Sequence, residues 1–133
     1  MSQEALNAIL KPSSIAIIGA SRRTGAVGNL IVKNILESGF KGSIYPVNPN
    51  ADEIYGLKCY PSIMDINDSV DLAVIAVRSN VVPAVAEEAG KKGVRGLVVI
   101  SAGFREIGEE GAKLEKELLD ICRKYGMRMV GPN

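Results

Sequence analysis

Short, uninterrupted runs of aliphatic and β-branched residues recur along this chain, and between them the apolar period lengthens to every third or fourth residue. The runs are Ser14 to Gly19, Ser43 to Val47, Leu72 to Val77, Leu97 to Ile100 and Met127 to Val130. A strand that is apolar at successive positions has no face to give to water, so it belongs in a parallel sheet covered on both sides. The intervening stretches read as amphipathic helices. One runs from about Ala26 to Ser38, with Val27, Leu30, Ile31 and Ile35 expected on its inner face and Gly39 as its stop. A second carries Val82, Val85, Ala86 and Ala89 and closes near Gly93. The third runs from about Glu109 to Tyr125, with Leu114, Leu118, Ile121 and Tyr125 inward and Gly126 as its cap. Strand–helix alternation with right-handed crossovers predicts an α/β fold, a doubly wound, Rossmann-like parallel sheet of about five strands with helices on both faces.

Residues ahead of Ser14 receive no element in this reading. Asn48 to Asp71 is rich in Pro, Asn, Gly and Asp and reads as loop, with a short extended piece around Leu57 to Tyr60. Pro46 marks the second strand as near an edge or irregular, because proline donates no ladder hydrogen bond. At 133 residues and 47% hydrophobic, the chain is expected to form one domain over residues 1–133.

Several function classes are excluded by residue counts. There is no histidine, so Ser-His-Asp and Cys-His nucleophiles, histidine-ligated metals and phosphohistidine chemistry have no place within this chain. Sixteen basic against fifteen acidic residues give a net charge of +1, which favours neither nucleic acid nor a membrane surface as partner. No apolar run approaches the roughly 18 residues that span a bilayer, and the N-terminus has no basic segment followed by an apolar one. The cysteines Cys59 and Cys122 are too few for a disulfide scaffold and fit a reducing cytoplasm. Cys122 is expected to be a small buried hydrophobe, Cys59 to sit exposed in a loop.

In a doubly wound sheet, ligands bind at the carboxyl ends of the strands where strand order reverses. Four loops qualify: Gly19 to Gly28, Asn48 to Ile54, Arg78 to Val81 and Ser101 to Arg105. The first is the most informative. Gly19 ends a strand and Gly25-Ala26-Val27-Gly28 opens a helix, where backbone N–H groups and the helix dipole suit a phosphate. Two readings of these glycines stand open: a phosphate cradle, or a tight turn with close helix–sheet packing. A nucleotide-hydrolysing P-loop does not fit, since Thr24 stands where the second glycine is required and the lysine is missing. Nor does the G-x-G-x-x-G dinucleotide fingerprint, because Ala20 to Thr24 is inserted between Gly19 and Gly25-x-x-Gly28. Two arginines in that insertion, Arg22 and Arg23, point to a ligand with more negative charge than NAD presents there. The second strand ends Val47-Asn48-Pro49-Asn50, with no carboxylate before Asp52 to hold an NAD ribose. A neutral corner of this kind tolerates a phosphorylated ribose, and equally it is ordinary turn chemistry. Glu106, Glu109 and Glu110 offset a helix dipole.

With these residues placed, the chain resembles the CoA-binding domain of the NDP-forming acyl-CoA ligases, which include ADP-forming acetyl-CoA synthetases and, more distantly, the alpha subunit of succinyl-CoA synthetase. The resemblance is carried by Ile17 to Ser21, Gly25 to Gly28, Gly42 to Pro49, Val70 to Val74, Ser101 to Phe104 and Gly131 to Asn133, in order along nearly the whole chain. It implies coenzyme A or an acyl-CoA as ligand. The implied contacts are Gly19, then Ser21, Arg22, Arg23, Thr24, Gly25 and Val27 around the phosphates. Val47, Asn48, Pro49 and Asn50 would flank the adenosine part, and Val77, Ser101, Ala102 and Gly103 the rest. It implies no catalytic residue and no metal ligand in this chain. Two positions depart from the family pattern: Asn50 stands where members often carry lysine, and Arg78 where many have proline. The resemblance further implies that the chain is the N-terminal part of a longer cytoplasmic protein. Its partners would be ligase and ATP-grasp domains or subunits, and its reaction the reversible conversion of acyl-CoA, ADP and phosphate into acid, CoA and ATP. Alternatives are a CoA-sensing domain of an acetyltransferase, a stand-alone CoA-binding module and, more weakly, an NAD(P)-binding domain.

Overall fold

The computed structural model describes residues 3–101 and 108–132. Its five-stranded sheet is built from β1 (Ser14–Ile18), β2 (Ser43–Val47), β5 (Leu72–Ile75), β6 (Gly96–Val99) and β7 (Arg128–Val130), in the order β2-β1-β5-β6-β7. Every pairing in it is parallel. All residues of β1 and β5 are buried, as their uninterrupted apolar character requires. Pro46 lies in β2, which is an edge strand, so the ladder bond it cannot donate is not demanded of it.

Helices α1 (Gln3–Leu10) and α2 (Val27–Glu37) lie on one face of the sheet, and α3 (Val82–Lys92) and α4 (Glu109–Tyr125) pack together on the other. Glycines in the left-handed conformation end α3 and α4, at Gly93 and Gly126. Acids in the first turn of α4 and bases in its last turn match the helix dipole. Across the α3–α4 seam the Tyr125 hydroxyl donates to Glu87 Oε2 and the Tyr125 ring lies against Gly90, where a Cβ would collide with it.

Three features differ from the sequence reading. The N-terminal segment is a helix, α1, and its buried residues are small. Ala5 and Ala8 are buried, and Ala8 and Ile9 pack over Gly96 of β6. Eight residues do not sustain a helix in water, so docking on the sheet holds this one in place, which the segment's own pattern does not announce. The second difference is the rotation of α2. Its buried residues are Gly28, Asn29 and Val32, with Ile31 and Ile35 at the margin, whereas Val27 and Leu30 are 53% and 43% exposed. Close approach of Gly28 to β1 sets this rotation in place of the widest apolar stripe. Third, the segment from Asn48 to Asp71 contains a hairpin, β3 (Glu53–Ile54) with β4 (Leu57–Lys58), and a 3-10 turn at Ile63–Asp65. Ile54, Ile63, Ile66 and Val70 are buried, so the loop is a packed flap and not a solvent excursion.

Candidate functional site

Strand order reverses between β1 and β5, and the loops leaving these two strands meet there. Gly19, at φ +97°, closes β1, and a Cβ on it would lie 2.4 Å from the Ala76 carbonyl oxygen after β5. Only glycine fits that conformation and that gap. On the other side, the first turn of α2 presses on the same backbone: a Cβ on Gly28 would lie 1.8 Å from the Gly19 oxygen. Gly28 therefore answers to helix–strand packing. Gly25, at φ +90° with nothing within 4 Å of a would-be Cβ, answers to loop conformation alone. Helix α2 opens at Ala26, which provides no side-chain cap at the sheet's carboxyl edge, and the Asn29 N–H bonds back to the Ala26 oxygen.

Side-chain amides tie the loops together. Asn48 Nδ2 donates to the Ala20 oxygen at 2.8 Å, and Asn48 Oδ1 accepts from the Asn50 N–H at 2.7 Å. The neutral corner after β2 thus braces the glycine loop as well as turning the chain. Asn29, 3% exposed, donates through Nδ2 to the Ser21 oxygen at 2.9 Å. Ser21 Oγ accepts from the Arg23 N–H at 3.0 Å and shapes the bend that carries the arginines.

Two clefts open on either side of this junction. One, of about 510 Å³, unites Gly19, Val47, Asn48, Pro49 and Val77 with Arg78, Val81, Pro61 and Ser62. The other, of about 230 Å³, unites Arg22 and Thr24 with Asn29, Glu53, Tyr55 and Gly56. Ser101 sits beside the first, its hydroxyl donating to the Val77 oxygen. Arg23 and Asn50 are exposed and line neither cleft; Val27 is exposed on the first turn of α2. Ala102 and Gly103 lie outside the described residues, as does Glu106. Pro61, Ser62, Asn29 and Tyr55 escaped the sequence reading, because they reach the site through the flap or from the buried side of α2. Gly56, between two short extended pieces, was the one local signal for the turn that delivers Tyr55.

The cysteines stand apart from any chemistry here. Cys59 is buried, 5% exposed, contrary to its expected exposure, because β4 folds back under the corner and Cys59 Sγ donates to the Asn48 oxygen at 3.7 Å. Burial raises its pKa, and burial pushes the Cys122 thiol up to about 11. Among the described residues no group of three His, Cys, Asp or Glu is placed to hold a metal ion.

A parallel doubly wound sheet with an open, glycine-lined crevice at its switch point is a Rossmann-like ligand-binding domain. The chain belongs to the CoA-binding domain family, which matches residues 13–133, and coenzyme A is its ligand. It is 53% identical over 128 residues to the ADP-forming acetate–CoA ligase II of Archaeoglobus fulgidus, covering 96% of this chain but 19% of that ligase. The structure superposes on that of the Ca. Korarchaeum cryptofilum dinucleotide-forming acetyl-coenzyme A synthetase 1, in complex with phosphate and ADP, with a TM-score of 0.92. There 48% of residues are identical, and the match covers 98% of this chain and 28% of that one. A shorter relative, YneT of Bacillus subtilis, is 34% identical over 115 residues, covering 83% of this chain and 82% of its own length. The chain thus spans about a fifth of the curated ligase it matches.

Proposed function

We propose that residues 1–133 form one domain that holds coenzyme A or an acyl-CoA for an ADP-forming acyl-CoA ligase, with the ligase and ATP-grasp parts as its partners in the cytoplasm. The observation that carries this reading is the junction of the arginine-bearing glycine loop, the start of α2 without a side-chain cap and the Asn48-Pro49-Asn50 corner after β2, whose first carboxylates come only at Asp52 and Glu53. A ligand that combines phosphates, a phosphorylated ribose and a long pantetheine arm suits these parts. Ser21, Arg22, Arg23, Thr24, Gly25 and Val27 face the phosphates, through backbone N–H groups, hydroxyls and guanidinium charge. Val47, Asn48, Pro49 and Asn50 flank the adenosine, and the cleft past Gly19 and Val77 toward Ser101 takes the arm. Ala102 and Gly103 belong to the same assignment by their place in the sequence.

Within the ligase reaction this chain's own residues bind and orient. An acyl phosphate must form before the thiol of CoA can displace an oxygen from a carboxylate, and this chain has no histidine to carry phosphate. A second reading, a CoA-binding module acting alone, draws on the match to YneT, of whose length this chain covers 82%.

Calorimetric titration tests the binding assignment. Coenzyme A is expected to bind at least about tenfold more tightly than NAD, or about 1.4 kcal/mol. Equal affinity, or preference for NAD, would overturn it. Acyl-CoA synthesis measured with and without the rest of a ligase separates the two readings of context.

A further inference from the structure

The tip of the β3–β4 hairpin is occupied by a residue that its backbone disfavours. Tyr55 has φ +51° and Gly56 φ +80°, the two left-handed positions of a two-residue hairpin turn. The first of these positions prefers asparagine, aspartate or glycine, and a bulky side chain there is strained. The hairpin does not need tyrosine for its own core, because Ile54 provides the buried anchor and Tyr55 remains 50% exposed. What the tyrosine does reach is Asn29: its hydroxyl donates to Asn29 Oδ1 at 2.8 Å. The other end of that buried amide donates to the Ser21 oxygen at 2.9 Å. A three-member relay therefore runs from hairpin tip to helix to glycine loop, and two of its members, Tyr55 and Asn29, line the cleft together with Arg22 and Thr24.

The base of the hairpin is fixed as firmly as its tip. Tyr60 N–H donates to the Pro46 oxygen at 2.9 Å, Asn48 N–H to the Tyr60 oxygen at 2.9 Å, and Cys59 N–H to the Asp52 oxygen at 2.8 Å. The hairpin thus stands on the end of β2 and reaches across to α2. A strained residue kept at a position where a better turn former exists marks a role outside the turn.

We propose that Tyr55 is a positioning residue for the coenzyme A site: through Asn29 it holds the Ser21 to Gly25 loop in its binding conformation. Locking Asn29 Oδ1 fixes the rotation of the amide and so aims Nδ2 at Ser21, the residue that starts the arginine bend. Without the hydroxyl, the loop samples other arrangements, and the ligand must meet the cost of ordering it. The proposal rests on the reading that this loop holds coenzyme A.

Two variants and the wild-type domain test it, with coenzyme A affinity measured by calorimetry and stability by thermal melting. Tyr55→Phe keeps the ring and loses the hydroxyl. It is expected to bind coenzyme A between about three- and tenfold more weakly, the equivalent of one hydrogen bond, with its melting temperature little changed. Tyr55→Asn relieves the backbone strain but does not span the distance to Asn29. It is expected to melt at or above the wild-type temperature and still to bind coenzyme A more weakly. A purely structural tyrosine would not make stability and affinity part in that way. Wild-type affinity in Tyr55→Phe overturns the proposal while leaving the binding site intact. A wild-type domain that does not bind coenzyme A overturns the functional reading, and the relay's role with it.

Discussion

Replacing Gly28 by alanine tests whether the first turn of α2 is positioned by steric contact with β1. Two effects oppose each other at this site. Alanine is the better helix former by about 1 kcal/mol, so propensity alone would stabilise the protein. Against it, the new methyl would lie 1.8 Å from the Gly19 carbonyl oxygen, 2.8 Å from its carbonyl carbon and 3.0 Å from Ala20 Cα. Ordinary contact lies near 3.5 Å, so helix and strand must separate by more than about 1.5 Å. The obstructing atoms are backbone and have no rotamer to escape into. Overpacking of this kind costs about 1–3 kcal/mol, and an unyielding neighbour places it at the upper end. The clash wins, and a net loss of about 2 kcal/mol is expected. Urea denaturation reads it as a lower midpoint at unchanged slope. Asn34→Ala, on the exposed side of the same helix, is the control and is expected to be neutral or more stable by a few tenths of a kcal/mol. Coenzyme A affinity should fall in Gly28→Ala and not in Asn34→Ala, because the displaced turn carries the N–H groups at the site. A Gly28→Ala protein as stable as the wild type would refute the steric account.

The double substitution Arg22→Ala/Arg23→Ala is expected to weaken coenzyme A binding and to flatten its salt dependence, since attraction between exposed charges is screened within about 10 Å at 0.1 M salt. Its melting temperature should stay near that of the wild type, because both arginines are exposed. Neither thiol should react with iodoacetamide in the folded protein at pH 8, given burial and pKa values raised by desolvation, and both should react in denaturant; titration of alkylated sulfur by mass spectrometry checks this. Incubated with ATP, acetate, magnesium and coenzyme A, the 133-residue chain by itself is expected to form no thioester and to take up no phosphate label. Turnover would overturn the expectation that this chain only binds and orients.

The class of fold was legible in the sequence because it depends on quantities a chain carries locally. Strands such as Ser14–Ile18 and Leu72–Ile75 are apolar at nearly every position, and only a sheet buried on both faces accepts such strands whatever surrounds them. The helix stops at Gly93 and Gly126 were legible for the same reason, since a left-handed residue ends a helix by its own conformational preference. The absence of an acid at the end of β2 and of histidine anywhere constrained the chemistry before any coordinate did.

Tertiary structure alone decided which way the elements turned and what they met. Val27, Leu30, Ile31 and Ile35 form a sound apolar stripe, yet Val27 and Leu30 face outward, because backbone contact between Gly28 and Gly19 fixes the rotation of α2. Periodicity records that a helix has an apolar side; the closest approach to its neighbour selects the side that is buried. Helix α1 is similar: alanines give a weak pattern, and the surface of β6 that they fill exists only after the sheet has formed. The site shows the same division. The strand-end loops that hold Gly19, Asn48 and Val77, which line one cleft, and Arg22, which lines the other, were legible from the fold class. Tyr55 was not, because its partner Asn29 is 26 residues away and on another element. A hydrogen bond across that separation depends on how the hairpin stands on β2, and no local propensity encodes it.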